Sequence, residues 1–321
     1  MARPAVAFVA LSCTLSAGLL LAGCGGSGRS VSQPSCSGSA SSSTGSGETL
    51  QTLAGPSPIA VVPGTEDYEP GTNRFSFLIV DSRSRAISTK VACVWVATGL
   101  KAVPYARTLA HLEPVGIPGG AQGPMTSIYV ANVDLPKPGK YWLLAVPTGA
   151  KPLAALANLV VLARPTGAPR VGDHAIASQT PTLASTGGKV SLLSTATHPD
   201  PRLYRISVAH ALTSHVPFVV TFATPKFCAS RTCGPVVDTV DAVSRRLANT
   251  PVRFIHVEIY ERNDPARGFN AWVKQWRLPT EPWTFLVDRH GVIRARFEGA
   301  FSAGELERTI RATLLGSAGA S

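Results

Sequence analysis

Cys228 and Cys233 stand five positions apart in the segment Cys228-Ala229-Ser230-Arg231-Thr232-Cys233. Two thiols this close can cycle between dithiol and disulfide, so exchange with the thiols or disulfides of other proteins is the chemistry the spacing offers. Geometry limits how they can meet. On one continuous α-helix, residues five apart rise about 7.5 Å and point about 140° apart, whereas a disulfide needs Cα atoms about 4.4–6.8 Å apart. The pair can bond only if Cys228 lies in a loop folded back over a helix start. Pro235 suits the first helical position, where its missing N–H costs nothing. Asp238 and Asp241 near the start and Arg245 and Arg246 near the end suit the helix dipole, and Asn249 and Pro251 end the helix. This places Cys233 just before the helix N-terminus, where the dipole and open N–H groups stabilise a thiolate. Lys226 and Arg231 add positive charge nearby. The competing reading is a static staple, which over so short a loop would stabilise only modestly.

These thiols need a scaffold. From Tyr204 onward, strand and helix periods alternate. Val216–Phe222 is a continuous apolar run, as in a buried central strand. Pro235–Ala248 carries Val236, Val237, Val240, Val243 and Leu247 at helical spacing. Val252–Tyr260 reads as a second buried strand and Gly268–Arg277 as a helix. Trp283–Val287 and Val292–Phe297 read as strands joined by the turn Asp288-Arg289-His290-Gly291, and Ala303–Leu315 as an amphipathic helix.

The segment Phe222-Ala223-Thr224-Pro225-Lys226-Phe227-Cys228 resembles the strand-to-helix corner of thioredoxin-like proteins. Glu281-Pro282-Trp283-Thr284-Phe285-Leu286-Val287-Asp288 resembles their second landmark, a cis-proline followed by an apolar strand. The resemblance covers roughly residues 204 to 316 and implies a thioredoxin fold, with Pro282 cis and close to the cysteines. It also implies that the backbone before Pro282 pairs with an extended substrate chain like an added strand. The family spacing is Cys-x-x-Cys, and this chain has four residues between the sulfurs. Position in the family favours Cys228 as the attacking thiol, while helix geometry favours Cys233; the preferred assignment is Cys228 as nucleophile and Cys233 as resolving thiol. Glu281, before the proline, would raise the thiol pKa values and repel acidic substrates if it faces them; otherwise it is a solvated loop carboxylate. A copper-carrying branch of the fold pairs two cysteines with a distant histidine, which makes His290 a candidate ligand in an alternative reading. A catalytically silent binding module is the other alternative.

The rest of the chain reads as export and support. Arg3 precedes an apolar stretch, Ala5–Ala22, closed by small residues, the pattern of a secretory signal. Leu21-Ala22-Gly23-Cys24 resembles the lipobox of bacterial lipoproteins, which implies cleavage before Cys24 and a lipid on its thiol. The expected organisation is multi-domain: signal peptide over 1–23, a lipid-anchored flexible linker over 24–55, an all-β immunoglobulin-like sandwich over 56–163, a linker over 164–203, and an α/β thioredoxin-like domain over 204–321. Short strands broken by Pro/Gly turns support the sandwich. Cys93, in the strand-like run Val91–Val96, reads as a small buried hydrophobe. The expected location is the extracytoplasmic face of the cell membrane, and the expected partners are protein thiols or disulfides, with no cofactor.

A net charge of +11 raises nucleic acid as a partner. The Lys and Arg residues are scattered with no basic run, which argues against it. His198, His210 and His215 lack zinc-ligand spacing, and neither a Gly-rich phosphate loop nor a Ser/His/Asp arrangement is present.

Overall fold

The apolar run at residues 91–97 becomes a strand buried on both faces in the computed structural model. The structure describes residues 47–54, 59–114, 126–148, 155–161, 167–228 and 232–316, all within one compact unit, Ser35–Ser321. The signal segment and Cys24 lie outside the described residues. No helix among the described residues is long and apolar enough to cross a membrane.

The N-terminal half is β: β1 (Ala60–Pro63), β2 (Gly71–Val80), β3 (Val91–Ala97), β4 (Ala106–Pro114), β5 (Ser127–Leu135), β6 (Gly139–Pro147) and β7 (Ala155–Val161). They form one closed, barrel-like sheet in the order β1-β2-β5-β4-β3-β6-β7. This differs from the expected two-sheet sandwich. Here β3 and β4 pair from Val91↔His111 to Val96↔Ala106, and Ala60 bridges Leu156 in parallel. Among the described residues, the single Ala60↔Leu156 bridge joins the two ends of the sheet. Phe75, Phe77, Val94, Val96 and Tyr129 pack in one buried cluster. Phe77 stacks on both Phe75 (4.6 Å between ring centroids) and Tyr129 (5.3 Å).

On its other face β3 carries Cys93, Trp95 and Ala97, which pack with Leu144 under Leu50 and Ala54 of a short helix, α1 (Leu50–Ala54). This is why an antiparallel strand is apolar at every position. The end of the segment read as a flexible linker is thus docked on the barrel. Cys93 is disulfide-bonded, which corrects the small-hydrophobe reading. Cys228 and Cys233 are both thiols, so neither is its partner.

The C-terminal half is a four-stranded mixed sheet of β8 (Phe218–Phe222), β9 (Arg253–Val257), β10 (Trp283–Val287) and β11 (Ile293–Glu298), in the order β11-β10-β8-β9. β8 and β9 are parallel, and β10 runs antiparallel to β8 and β11. Helices cover both faces. Buried side chains of α3 (Cys233–Arg246) and α5 (Ala303–Ile310) pack with Val219 and Leu286. α2 (Val208–Thr213) and α4 (Ala271–Gln275) cover Phe218, Val220, Phe222 and Phe285 on the other side. The order β8-α3-β9-α4-β10-β11-α5 is the one the alternating periods predict.

Residues 167–203, read as a linker, lie against this sheet. Gly172 N–H donates to Ile293 O and Ile293 N–H to Asp173 O, each at 2.9 Å. Leu193 is buried beside α3, with Leu183 and Val190 packed around it. The Gly, Pro, Ser and Thr content serves tight turns and short 3₁₀ helices rather than a free tether.

The barrel and the mixed sheet meet through polar contacts. Arg74 grips Glu305 in a two-pronged bond (2.6 and 2.7 Å) and donates to Ala300 O at 2.8 Å. Arg308 pairs with Glu113 at 2.7 Å. Gly64 O accepts from Ala300 N–H at 3.2 Å.

Candidate active site

The site sits where β8 ends. Every residue of Phe218–Phe222 is buried, so the chain can leave the sheet only beyond its end, and it does so through the turn Pro225–Phe227. Cys228 follows, and α3 begins at Cys233. The helix therefore starts two residues before the predicted Pro235. Proline is still tolerated there, because the first four N–H groups of a helix have no intrahelical acceptor.

One of those open donors points at sulfur: the Cys233 N–H lies 3.2 Å from Cys228 Sγ. Cys228 is partly exposed and Cys233 is fully buried. The two sulfurs and a carboxylate oxygen of Glu281 all lie within 4.8 Å of one another. The Glu281–Pro282 bond is cis, with Glu281 half-buried and Pro282 buried. Cys228, Cys233, Glu281 and Pro282 thus come together at one corner.

The electrostatics separate the two thiols. Contact with the Cys228 sulfur, then burial, then the charges of Cys228 and Glu281, push the Cys233 thiol far above its usual range. A backbone hydrogen bond from Thr224 opposes this only in part. The expectation that the helix start would favour a Cys233 thiolate is thus corrected: the open N–H serves its neighbour's sulfur, and burial disfavours the charged form of Cys233. Lys226 is exposed, with its ammonium 5.3 Å from the centre of the Phe227 ring. Arg231 lies outside the described residues.

Three supporting groups escaped sequence reasoning. Glu258 is buried and accepts from Thr195 N–H (2.6 Å) and Thr195 Oγ1 (2.7 Å). Thr195 Oγ1 in turn accepts the N–H of Lys226 at 3.1 Å, so a residue of the supposed linker ties the cysteine turn to a buried carboxylate. Behind the turn, Ala223 O accepts from His256 Nε2 at 3.0 Å. A carbonyl can only accept, so Nε2 carries the proton and Nδ1 accepts the Tyr204 hydroxyl at 2.7 Å. Burial lowers the His256 pKa and keeps the ring neutral. Tyr260 faces the site as well: burial and then the charges of Glu281, Cys233 and Cys228 raise its pKa. Its ring stacks on Phe269 at 5.6 Å. None of these carries a local signal, because each acts through a contact distant in sequence.

His290 does not join the pair. It is exposed in the turn after β10 and helps line a cleft of about 690 Å³ with His215, Pro217 and Pro251. Pro282 precedes β10 and His290 follows it, so a strand length, on the order of 17 Å, separates them. The copper reading that relied on His290 is therefore not supported.

No family model matches the chain, and no curated protein does. Among solved structures, it is similar to a thiol:disulfide interchange protein of the thioredoxin family from Chlorobium tepidum TLS. The identity is 13%, the match covers 34% of this chain and 85% of that one, and the TM-score is 0.25, a likeness too slight to carry an argument.

Proposed function

We propose that this is an extracytoplasmic thiol–disulfide exchange protein, held at the membrane by a lipid on Cys24, with Cys228 as the attacking thiol and Cys233 as the resolving thiol. The supporting observation is the asymmetry of the pair. One sulfur is accessible and receives a helix N–H, while the other is buried within reach of it. In the reducing direction the Cys228 thiolate attacks a substrate disulfide. A mixed disulfide forms and one substrate sulfur leaves as a thiolate, which takes up a proton from water. Cys233 then loses its proton to water and attacks the Cys228 sulfur. The Cys228–Cys233 disulfide forms and the second substrate thiolate departs, so two electrons pass from the pair to the substrate. The reverse sequence oxidises a dithiol. The backbone before Pro282 offers an extended partner chain a strand-like edge.

The test is covalent trapping. In cells producing the full chain, Cys233→Ser should accumulate reductant-sensitive adducts on non-reducing gels, because the resolving step is lost. Cys228→Ser should accumulate none. Adducts only in Cys228→Ser would reverse the two roles. Absence from both, with unreactive thiols in the reduced wild type, would sink the exchange reading and leave a silent binding module. The anchor has a separate check: Cys24→Ser should move the protein from the membrane fraction to the soluble one, and continued membrane retention would refute the lipid.

A further inference from the structure

The geometry points to a divalent metal site at Cys228, Cys233 and Glu281, of the kind that takes Zn²⁺ with two thiolates and one carboxylate and leaves the fourth position open. It does not rest on the exchange reading. Among the described residues, these three form a group whose ligand atoms all lie within 4.8 Å of one another. Around tetrahedral zinc, with Zn–S about 2.3 Å and Zn–O about 2.0–2.2 Å, neighbouring ligand atoms stand roughly 3.4–3.8 Å apart. Shifts on the order of 1 Å would close the group around an ion.

Two of the three donors lie at or beside regular elements. Cys233 is the first residue of α3, and Glu281 lies two residues before the start of β10. Cys228 comes from the turn and takes the Cys233 N–H on its sulfur at 3.2 Å, the kind of outer hydrogen bond that orients a metal ligand. Cys233 is buried while the other two are partly exposed, so an ion would enter from the Cys228–Glu281 side.

The donor set selects the metal. Two thiolates exclude Mg²⁺ and Ca²⁺, which take oxygen ligands. A carboxylate is a poor partner for Cu⁺, which prefers sulfur alone, and a borderline ion such as Zn²⁺ accepts both donor types. A dication would also relieve the repulsion that arises when a carboxylate shares a pocket with two thiolates. Three protein ligands with one open position is the arrangement of reactive rather than purely structural zinc sites.

The experiment titrates the full chain, reduced and in detergent, with Zn²⁺ against a chromophoric chelator. The expected result is one zinc per reduced chain, released when the pair is oxidised to a disulfide. Glu281→Gln and Glu281→Ala should each weaken zinc at least about tenfold and leave Cu⁺ affinity within about twofold, since sulfur alone satisfies Cu⁺. Circular dichroism confirms that each variant is folded. Cys228→Ser or Cys233→Ser should abolish uptake at micromolar zinc. Co²⁺ should give the intense visible bands of a tetrahedral, sulfur-bound site. No uptake by the reduced wild type, unchanged zinc affinity in both Glu281 variants, or an octahedral cobalt spectrum overturns the site. Adduct trapping needs no zinc. A chain that traps substrates without binding zinc refutes only the metal site, and one that binds zinc without trapping refutes only the exchange reading.

Discussion

Gly299→Ala should lower stability by roughly 3 kcal/mol, the sum of a strained backbone and an overpacked contact. Gly299 follows β11 with φ +75°, a region where an L side chain crowds its own backbone. The steric conflict is larger. A Cβ there would lie 1.6 Å from the Gly64 carbonyl oxygen, which is main chain of the barrel and cannot rotate away. Either Gly64–Thr65 or the start of the Gly299–Ala300 turn must move. That turn also holds the site, because Gly299 N–H donates to Pro282 O at 2.9 Å. The variant should therefore melt about 6–12 °C lower and alkylate differently at Cys228. Gly187→Ala isolates the backbone term: its φ is +59° with nothing within 4 Å of the added carbon, so about 1–2 kcal/mol is expected. Equal losses in the two variants would show that the barrel is not seated on Gly299 as described.

The parts of this arrangement that were legible in sequence are those with local causes. The apolar run before Cys228 marks a central strand because both faces of that strand are covered. The Glu281–Pro282 landmark precedes an apolar strand that is buried along its whole length. The turn Asp288–Gly291 announces itself through Gly291, which sits at φ +79°. What was not legible depends on distant partners. The β1–β7 bridge that closes the barrel joins strands far apart in sequence. Thr195 looks like linker until Glu258 is seen beside it. The same holds for Cys233. A helix start near neutral pH favours a thiolate on general grounds, but the neighbouring sulfur, burial and Glu281 together decide the matter the other way. Spacing shows that two groups can meet; it does not show which of them is buried.

Between about pH 4.5 and 7, the chain should lose stability as pH rises through Glu298, and Glu298→Gln should remove that loss. Glu298 is buried at the end of β11 and lines a cleft of about 180 Å³ between the barrel and the mixed sheet, with Asp67, Arg74 and Arg296. Its carboxylate accepts from Glu66 N–H (2.6 Å) and Asp67 N–H (3.3 Å) on the barrel. On the other side it accepts from the hydroxyl of Thr280, the residue before Glu281, at 2.9 Å. Burial outweighs these hydrogen bonds and, with the charge of Asp67, pushes its pKa up to about 7 from the usual 4.5. The unfolded chain gives up this proton near pH 4.5 and the folded chain only near pH 7. In that window the folded state holds more protons, so stability is full below 4.5 and falls as pH rises through 7. A gap of about 2.5 units corresponds to about 3 kcal/mol. Asp200, Asp81 and Asp288 are shifted the opposite way, chiefly through hydrogen bonds from Arg and backbone N–H groups that outweigh any burial. Their contribution is lost at the acid end, as pH falls below the ordinary carboxylate range, and it is common to both proteins. The difference between wild type and Glu298→Gln in urea midpoints across pH 4–8 therefore isolates the one carboxyl. Parallel profiles through pH 4.5–7 would show that Glu298 ionises normally. A wild-type slope that the variant lacks would show that ionising one buried carboxyl strains the junction that seats the barrel against the loop carrying Glu281 and Pro282.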